Sequence, residues 1–204
     1  MAEGEYAIVF DWRNDDVQVT LMQGEANGAR IMAQEAMDNP MEESEAVVWG
    51  NDIYEQLFGC MRSKLLEQEE FLKVMNLTES NMEAWRAFHN SRIAVMEQMR
   101  RGSNGLLILK NAWACVEEEL PYAQFKEMLK PYIEKTKQLP EKVMQKGKVG
   151  IQNIGKVYLS GNWGNVVYVW ECLEEYFGQG KLRVMADTSK AAVIGAAYLA
   201  GTRK

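Results

Sequence analysis

An α/β fold is what the sequence predicts, and three of its stretches carry that prediction. Near the start an apolar run ends in a carboxylate and is followed by apolar residues in period-two alternation, the pattern of a β-meander. The middle shifts to the spacing of amphipathic helices. The last quarter alternates strand, helix, strand, helix, as β/α units do.

Tyr6 to Asp11 reads as a buried strand, and Val17, Val19 and Leu21 as its antiparallel return. Gly24 to Gly28 supplies a turn, and Ala29 to Glu35 a third strand. From about Asn51 the residues Ile53, Leu57, Cys60, Met61, Leu65 and Leu66 fall near one helical face, with Asn51 or Asp52 placed as a cap. A second helix begins near Ser80, carries Trp85, Phe88, Arg92, Val95 and Met99, and stops at Arg101-Gly102, where glycine suits the C′ position. Leu106 to Leu109 and Ala112 to Val116 read as a hairpin around Lys110-Asn111. Pro121 opens the next helix, since its missing N–H costs nothing there. Pro131 and Pro140 predict a kink or two shorter helices up to about Lys146. Val157 to Gly161 is a strand ending in glycine, Val166 to Phe177 a helix closed by Gly178, Leu182 to Met185 a short strand, and Ser189 to Leu199 an alanine-rich helix. The acidic stretch from Asp38 to Glu45 reads as an exposed loop.

The 204 residues, 47% hydrophobic and 25% charged, suffice for one domain or one two-part lobe with a real core. A net charge of −6, from 23 basic and 29 acidic residues, offers no basic surface for nucleic acid. Cys60, Cys115 and Cys172 are an odd number without a CxxC pair and read as reduced core thiols. No apolar run approaches the roughly 18 residues of a membrane span, and Met1 to Glu5 is not a signal peptide, so a soluble cytoplasmic chain is expected. His89, the single histidine, has no partner at helical spacing and reads as structural; no metal site is expected. The 13 methionines read as adaptable core filler.

Several short strings, in shared order, resemble the nucleotide-binding domain of the seventy-kilodalton heat-shock chaperones. Asp187 to Ala197, after the strand Lys181 to Met185, is similar to the start of that domain's final helix. Pro121 to Met128 resembles its Thr-Arg-x-x-Phe-Glu-x-Leu helix start, and Val157 to Gly161 with the following helix its adenosine motif. Tyr6 to Val19 resembles the second phosphate motif, with Asp11 on the family's first aspartate. Trp49 to Ile53 falls on its Gly-Gly-Glu-Asp-Phe stretch. The resemblance spans about Tyr6 to Leu199 and covers the second of the family domain's two lobes. It implies an actin-like ATPase lobe of ribonuclease H-like type: residues 6–65 and 117–200 form the α/β core, and residues 66–116 an inserted subdomain of helices and a hairpin.

The departures bear on chemistry. A phosphate loop needs glycines, because bare backbone N–H groups must approach the oxygens closely. Here Arg13, Asn14 and Asp15 stand in place of three glycines and Asp16 in place of a threonine. Each added carboxylate close to a polyanion costs on the order of a few kcal/mol, which Arg13 offsets in part. Gly161-Asn162-Trp163-Gly164-Asn165 keeps the first glycine of the adenosine motif and loses the arginine that would lie on the base. By resemblance, Gly161, Arg92 and Gly50 are the candidate nucleotide contacts; from its own helix context Arg92 reads instead as an exposed helix arginine. Asp11 is the one catalytic candidate, positioning a metal-bound water if the chain is active. Asp11, Asp15 and Asp16 read as an acidic metal cluster or as a solvated turn. Trp12, Trp49 and Trp163 fill a vacated cleft, mark a contact surface, or are ordinary core.

Two functions are therefore expected as alternatives. One is a non-catalytic chaperone-ATPase-like domain that binds a protein partner or neighbouring domains and needs no cofactor. The other is the nucleotide-binding half of a longer ATPase using ATP or ADP with Mg.

Overall fold

The computed structural model describes residues 1–13, 16–38, 59, 82–110 and 115–184. The helix expected from about Asn51, the loop after Asp38, the helix Ser189 to Leu199, and Asn14, Asp15, Trp49, Gly50 and Cys60 lie outside the described residues. The chain divides into two compact units, residues 1–50 with 130–204, and residues 51–129.

In the first unit, β1 (Tyr6–Trp12) pairs antiparallel with β2 (Asp16–Glu25), from Tyr6 opposite Gln23 to Trp12 opposite Val17. β2 turns through Ala26-Asn27 into β3 (Gly28–Asp38), which is longer than the expected Ala29 to Glu35. The polar residues at its ends belong to the ladder, because an outer strand has one partner and tolerates solvent on its flank. β1 also pairs in parallel with β6 (Ile154–Ser160), bringing Asp11 opposite Ser160, and β6 pairs in parallel with β7 (Leu182–Val184). The sheet order is β3-β2-β1-β6-β7. Meander and β/α tail thus join in one mixed sheet.

Because side chains alternate across a sheet, Ile8, Phe10, Trp12, Val17, Val19, Leu21, Val157, Leu159 and Leu182 share one face, and all are buried. The opposite face, with Val9, Asp11, Gln18, Thr20, Tyr158 and Ser160, is only partly covered. A helix (Gln138–Gly147) lies on β2 and β3, burying Leu139, Val143 and Met144, and its Lys146 pairs with Glu35. Another (Val167–Phe177) buries Val169, Leu173 and Phe177 and ends at Gly178, φ 99°.

The second unit contains α1 (Met82–Arg100), followed by the hairpin β4 (Gly105–Lys110) and β5 (Cys115–Leu120). The Ser91 hydroxyl donates to the Ile108 carbonyl at 3.0 Å, and the Leu106 N–H donates to Gln98 Oε1 at 2.7 Å, so α1 satisfies backbone groups of β4. β5 is described from Cys115 and runs on to Leu120, past the expected end at Val116. Its glutamates fit a two-stranded hairpin because Glu117 and Glu119, opposite Ile108 and Leu106, sit on the exposed side. Cys115 is exposed and Cys172 half-buried, which corrects the expectation of core thiols; burial pushes the Cys172 thiol up.

The chain passes between the units within α2 (Tyr122–Thr136). Tyr122, not Pro121, is its first residue; the Pro121 carbonyl accepts the Gln124 N–H at 3.0 Å. The expected pair of shorter helices is present as α2 and α3, the Gln138–Gly147 helix, but no proline makes the break. It falls at Lys137, with Pro131 inside α2 and Pro140 in the first turn of α3, where an N–H has no intrahelical partner anyway. The Val167–Phe177 helix is α4.

Candidate functional site

The candidate site lies where β1 and β6 end side by side, at the carboxyl ends of two parallel strands, a common position for ligand sites in α/β sheets. Asp11 belongs to the partly covered face, so its carboxylate projects beyond the core. Both its oxygens are engaged: Ser160 Oγ donates to Oδ1 at 2.7 Å, and Arg13 Nε donates to Oδ2 at 2.9 Å, with Arg13 Nη2 at 2.8 Å from that oxygen. Arg13 also reaches Asp16 Oδ2 and Gln18 Oε1, each at 3.5 Å. In the backbone, the Arg13 N–H donates to the Asp16 carbonyl at 2.9 Å and closes the hairpin turn.

Beneath this polar rim the aromatic side chains face inward. Trp12 is 1% exposed and Trp163 0%, their ring centroids 6.2 Å apart, with Phe10 6.1 Å from Trp12. Burial places Trp12 and Trp163 in the core, which excludes a contact surface for both. Gly161, φ 83°, explains why glycine follows β6: a Cβ there collides with the Trp12 backbone, and the positive φ disfavours any other residue. Trp163 sits in a 3-10 turn (Asn162–Asn165) that leads into α4. Next to it is an open apolar hollow of about 240 Å³ lined by Gly164, Asn165, Val166, Val167 and Trp170.

The structure thus brings Asp11 and Gly161 to one sheet end. Arg92 is half-buried on α1, in the other compact unit, and Gly50 lies outside the described residues. Of the acidic cluster, Asp15 is outside the described residues, and Asp11 and Asp16 both contact the Arg13 guanidinium. Among the described residues no group of three or more His, Cys, Asp or Glu side chains is placed to hold a metal ion. The side chain of His89 lies outside the described residues. Ser160 and Gln18 are contacts that sequence reading missed. Ser160 carries one faint signal, its place directly before Gly161.

Arg13 does not offer a bare N–H group to the phosphates of a nucleotide; Asn14 and Asp15 lie outside the described residues. The Arg13 N–H is consumed by the turn, its guanidinium is held by two carboxylates, and those carboxylates repel a polyanion.

The family model described as Hsp70 protein matches residues 106–204. That stretch is an Hsp70-type segment. It begins in β4 and takes in β5, α2, α3, β6, Gly161, Trp163, α4 and β7, so the part of the site on β6 lies within the matched stretch, and the meander with Asp11 and Arg13 precedes it. The mixed sheet is compatible with the actin-like ATPase fold of such a domain. A search of the curated proteins gave no match. Among the described residues no helix is long and apolar enough to cross a membrane.

Proposed function

We propose that this chain is a non-catalytic Hsp70-like domain acting in protein interaction or scaffolding, equivalent to the second lobe of the chaperone ATPase. In this reading residues 6–65 and 117–200 form the α/β core and residues 66–116 an inserted subdomain. The protein works in the cytoplasm on a protein partner or beside neighbouring domains, without ATP or Mg.

One observation carries the reading. At the sheet end where a phosphate loop would offer bare N–H groups, Arg13 spends its N–H on Asp16 and its side chain on Asp11. Glycine's role in such a loop is steric and conformational, so restoring a missing lobe leaves this obstruction in place. Isothermal calorimetry of the full chain with Mg-ATP and Mg-ADP tests it. No heat of binding at micromolar to submillimolar nucleotide is expected; micromolar affinity overturns the reading. The alternative, a half-site of a longer ATPase with Asp11 positioning a metal-bound water, requires turnover by the longer protein that falls on Asp11→Asn.

A further inference from the structure

We propose that the outer face of the β4–β5 hairpin docks an amphipathic helix of a protein partner, one that carries an apolar stripe beside a stripe of lysine or arginine. The proposal rests on the protein-interaction role proposed above and goes further, because it places the contact and states the partner's chemistry.

The hairpin turns one face toward α1 and one away from it. Gly105, Leu107 and Leu109 belong to the first: all are buried, and a Cβ on Gly105 would meet Val95 and Met99 of α1. Leu106 and Ile108 alternate with them and so point the other way, 40% and 47% exposed. Opposite these two stand Glu119 and Glu117, both exposed. The Leu106 N–H and the Ile108 carbonyl are bonded to Gln98 and Ser91 of α1 and not to β5. Both cross-strand pairs are therefore of the kind without mutual hydrogen bonds, in which side chains sit closest and Cα atoms are about 4.5 Å apart. An apolar column on β4 thus runs beside an acidic column on β5.

The hairpin packs its core on the α1 side, so this face is an unpartnered one. Among the described residues no lysine or arginine pairs with Glu117 or Glu119; Glu119 accepts a hydrogen bond from the neutral Asn104 amide. Charge then selects the occupant. A purely apolar partner desolvates the carboxylates without a counter-charge, and a second copy of the face brings four like charges together. A basic stripe answers the acidic column while apolar side chains cover Leu106 and Ile108. A helix suits the layout, because a cylinder about 10 Å across spans two strands about 4.8 Å apart.

The test uses the full chain and a fluorescently labelled peptide of about 15 residues, the length at which an isolated helix begins to hold, with a leucine stripe flanked on one side by lysines. Anisotropy is expected to rise on binding, and the same peptide with glutamate for lysine is expected to give no rise. Amide chemical shifts of the unmodified chain locate the contact: those of residues 106–108 and 117–119 are expected to move most. Leu106→Thr with Ile108→Thr, and Glu117→Gln with Glu119→Gln, change exposed side chains, and each pair is expected to weaken binding about fivefold or more. No binding of the lysine peptide up to about 1 mM, equal binding of the glutamate peptide, or shifts centred elsewhere overturns the proposal. So does equal binding of a version broken by two central prolines, which would indicate an extended partner. Self-association in sedimentation that vanishes in Leu106→Thr with Ile108→Thr would assign the face to a second copy and overturns it as well. Mg-ATP calorimetry separates the two readings: nucleotide binding defeats the proposed function, whereas peptide failure without nucleotide binding defeats only this surface.

Discussion

Trp163 shows how much of this fold rests on single side chains. It is fully buried against Trp12, so Trp163→Ala removes a whole indole and leaves a cavity; a loss of about 3–5 kcal/mol is expected in urea unfolding. The ion pairs of the polar rim contribute far less, because Arg13 is half exposed, and pairs of that kind give about 1 kcal/mol or less. A different side chain governs alkaline behaviour. Tyr176 donates to Glu141 Oε1 at 3.4 Å, and burial, then the neighbouring carboxylate, pushes its phenol up to about 12 from an ordinary 10. The folded state therefore holds this proton more tightly than the unfolded chain does. Its stabilising share is complete below pH 10 and is lost as pH rises toward 12. Tyr176→Phe, compared with the parent by urea midpoints from pH 9 to 12, is expected to lose less stability over that span; parallel curves contradict the assignment.

Among the elements, the helix ends make opposite predictions. Lys148 follows α3 in the left-handed region, φ 54°, with the Val149 N–H bonded to the Met144 carbonyl at 2.9 Å. A glycine there avoids the Cβ penalty, so Lys148→Gly is expected to stabilise by about 1 kcal/mol, a rise of about 2–4 °C in thermal midpoint for a chain of this length. Gly161→Ala is expected to destabilise by more than 1 kcal/mol, because the positive φ and the Trp12 backbone both oppose a side chain. The meander was legible in sequence because Val17, Val19 and Leu21 alternate, and α4 because Gly178 stops it. Less legible was the end of β5, since Glu117 to Glu119 mask a strand whose exposed side is polar. The helix break at Lys137 has no marker at all; the prolines that invited one sit where a helix tolerates them. At the site, Asp11 was visible as the carboxylate closing an apolar run. The contact with its partner Ser160 was hidden, because parallel pairing across 149 residues is not written locally, and only the place of Ser160 before Gly161 marks it.

At the scale of the whole molecule the nucleotide question becomes one of linkage. A ligand present at a thousand times its Kd stabilises the folded state by about 4 kcal/mol, a rise on the order of 10 °C for a chain of this size. A thermal melt of the full chain with 1 mM Mg-ATP is expected to show no such rise, and a clear upward shift contradicts the reading of a closed site. The sheet itself carries one more consequence. β3 is 11 residues long and, among the described residues, hydrogen-bonds on one side only, to β2. Its ladder skips at Met32, since Leu21 faces Ala33 and Met22 faces Ile31. An outer strand interrupted in this way is a poor template for a stray extended chain, because the kink breaks the straight row of amides that fibrils copy. Deleting Met32 would straighten that row and is expected to shorten the lag before amyloid-dye fluorescence appears on gentle heating.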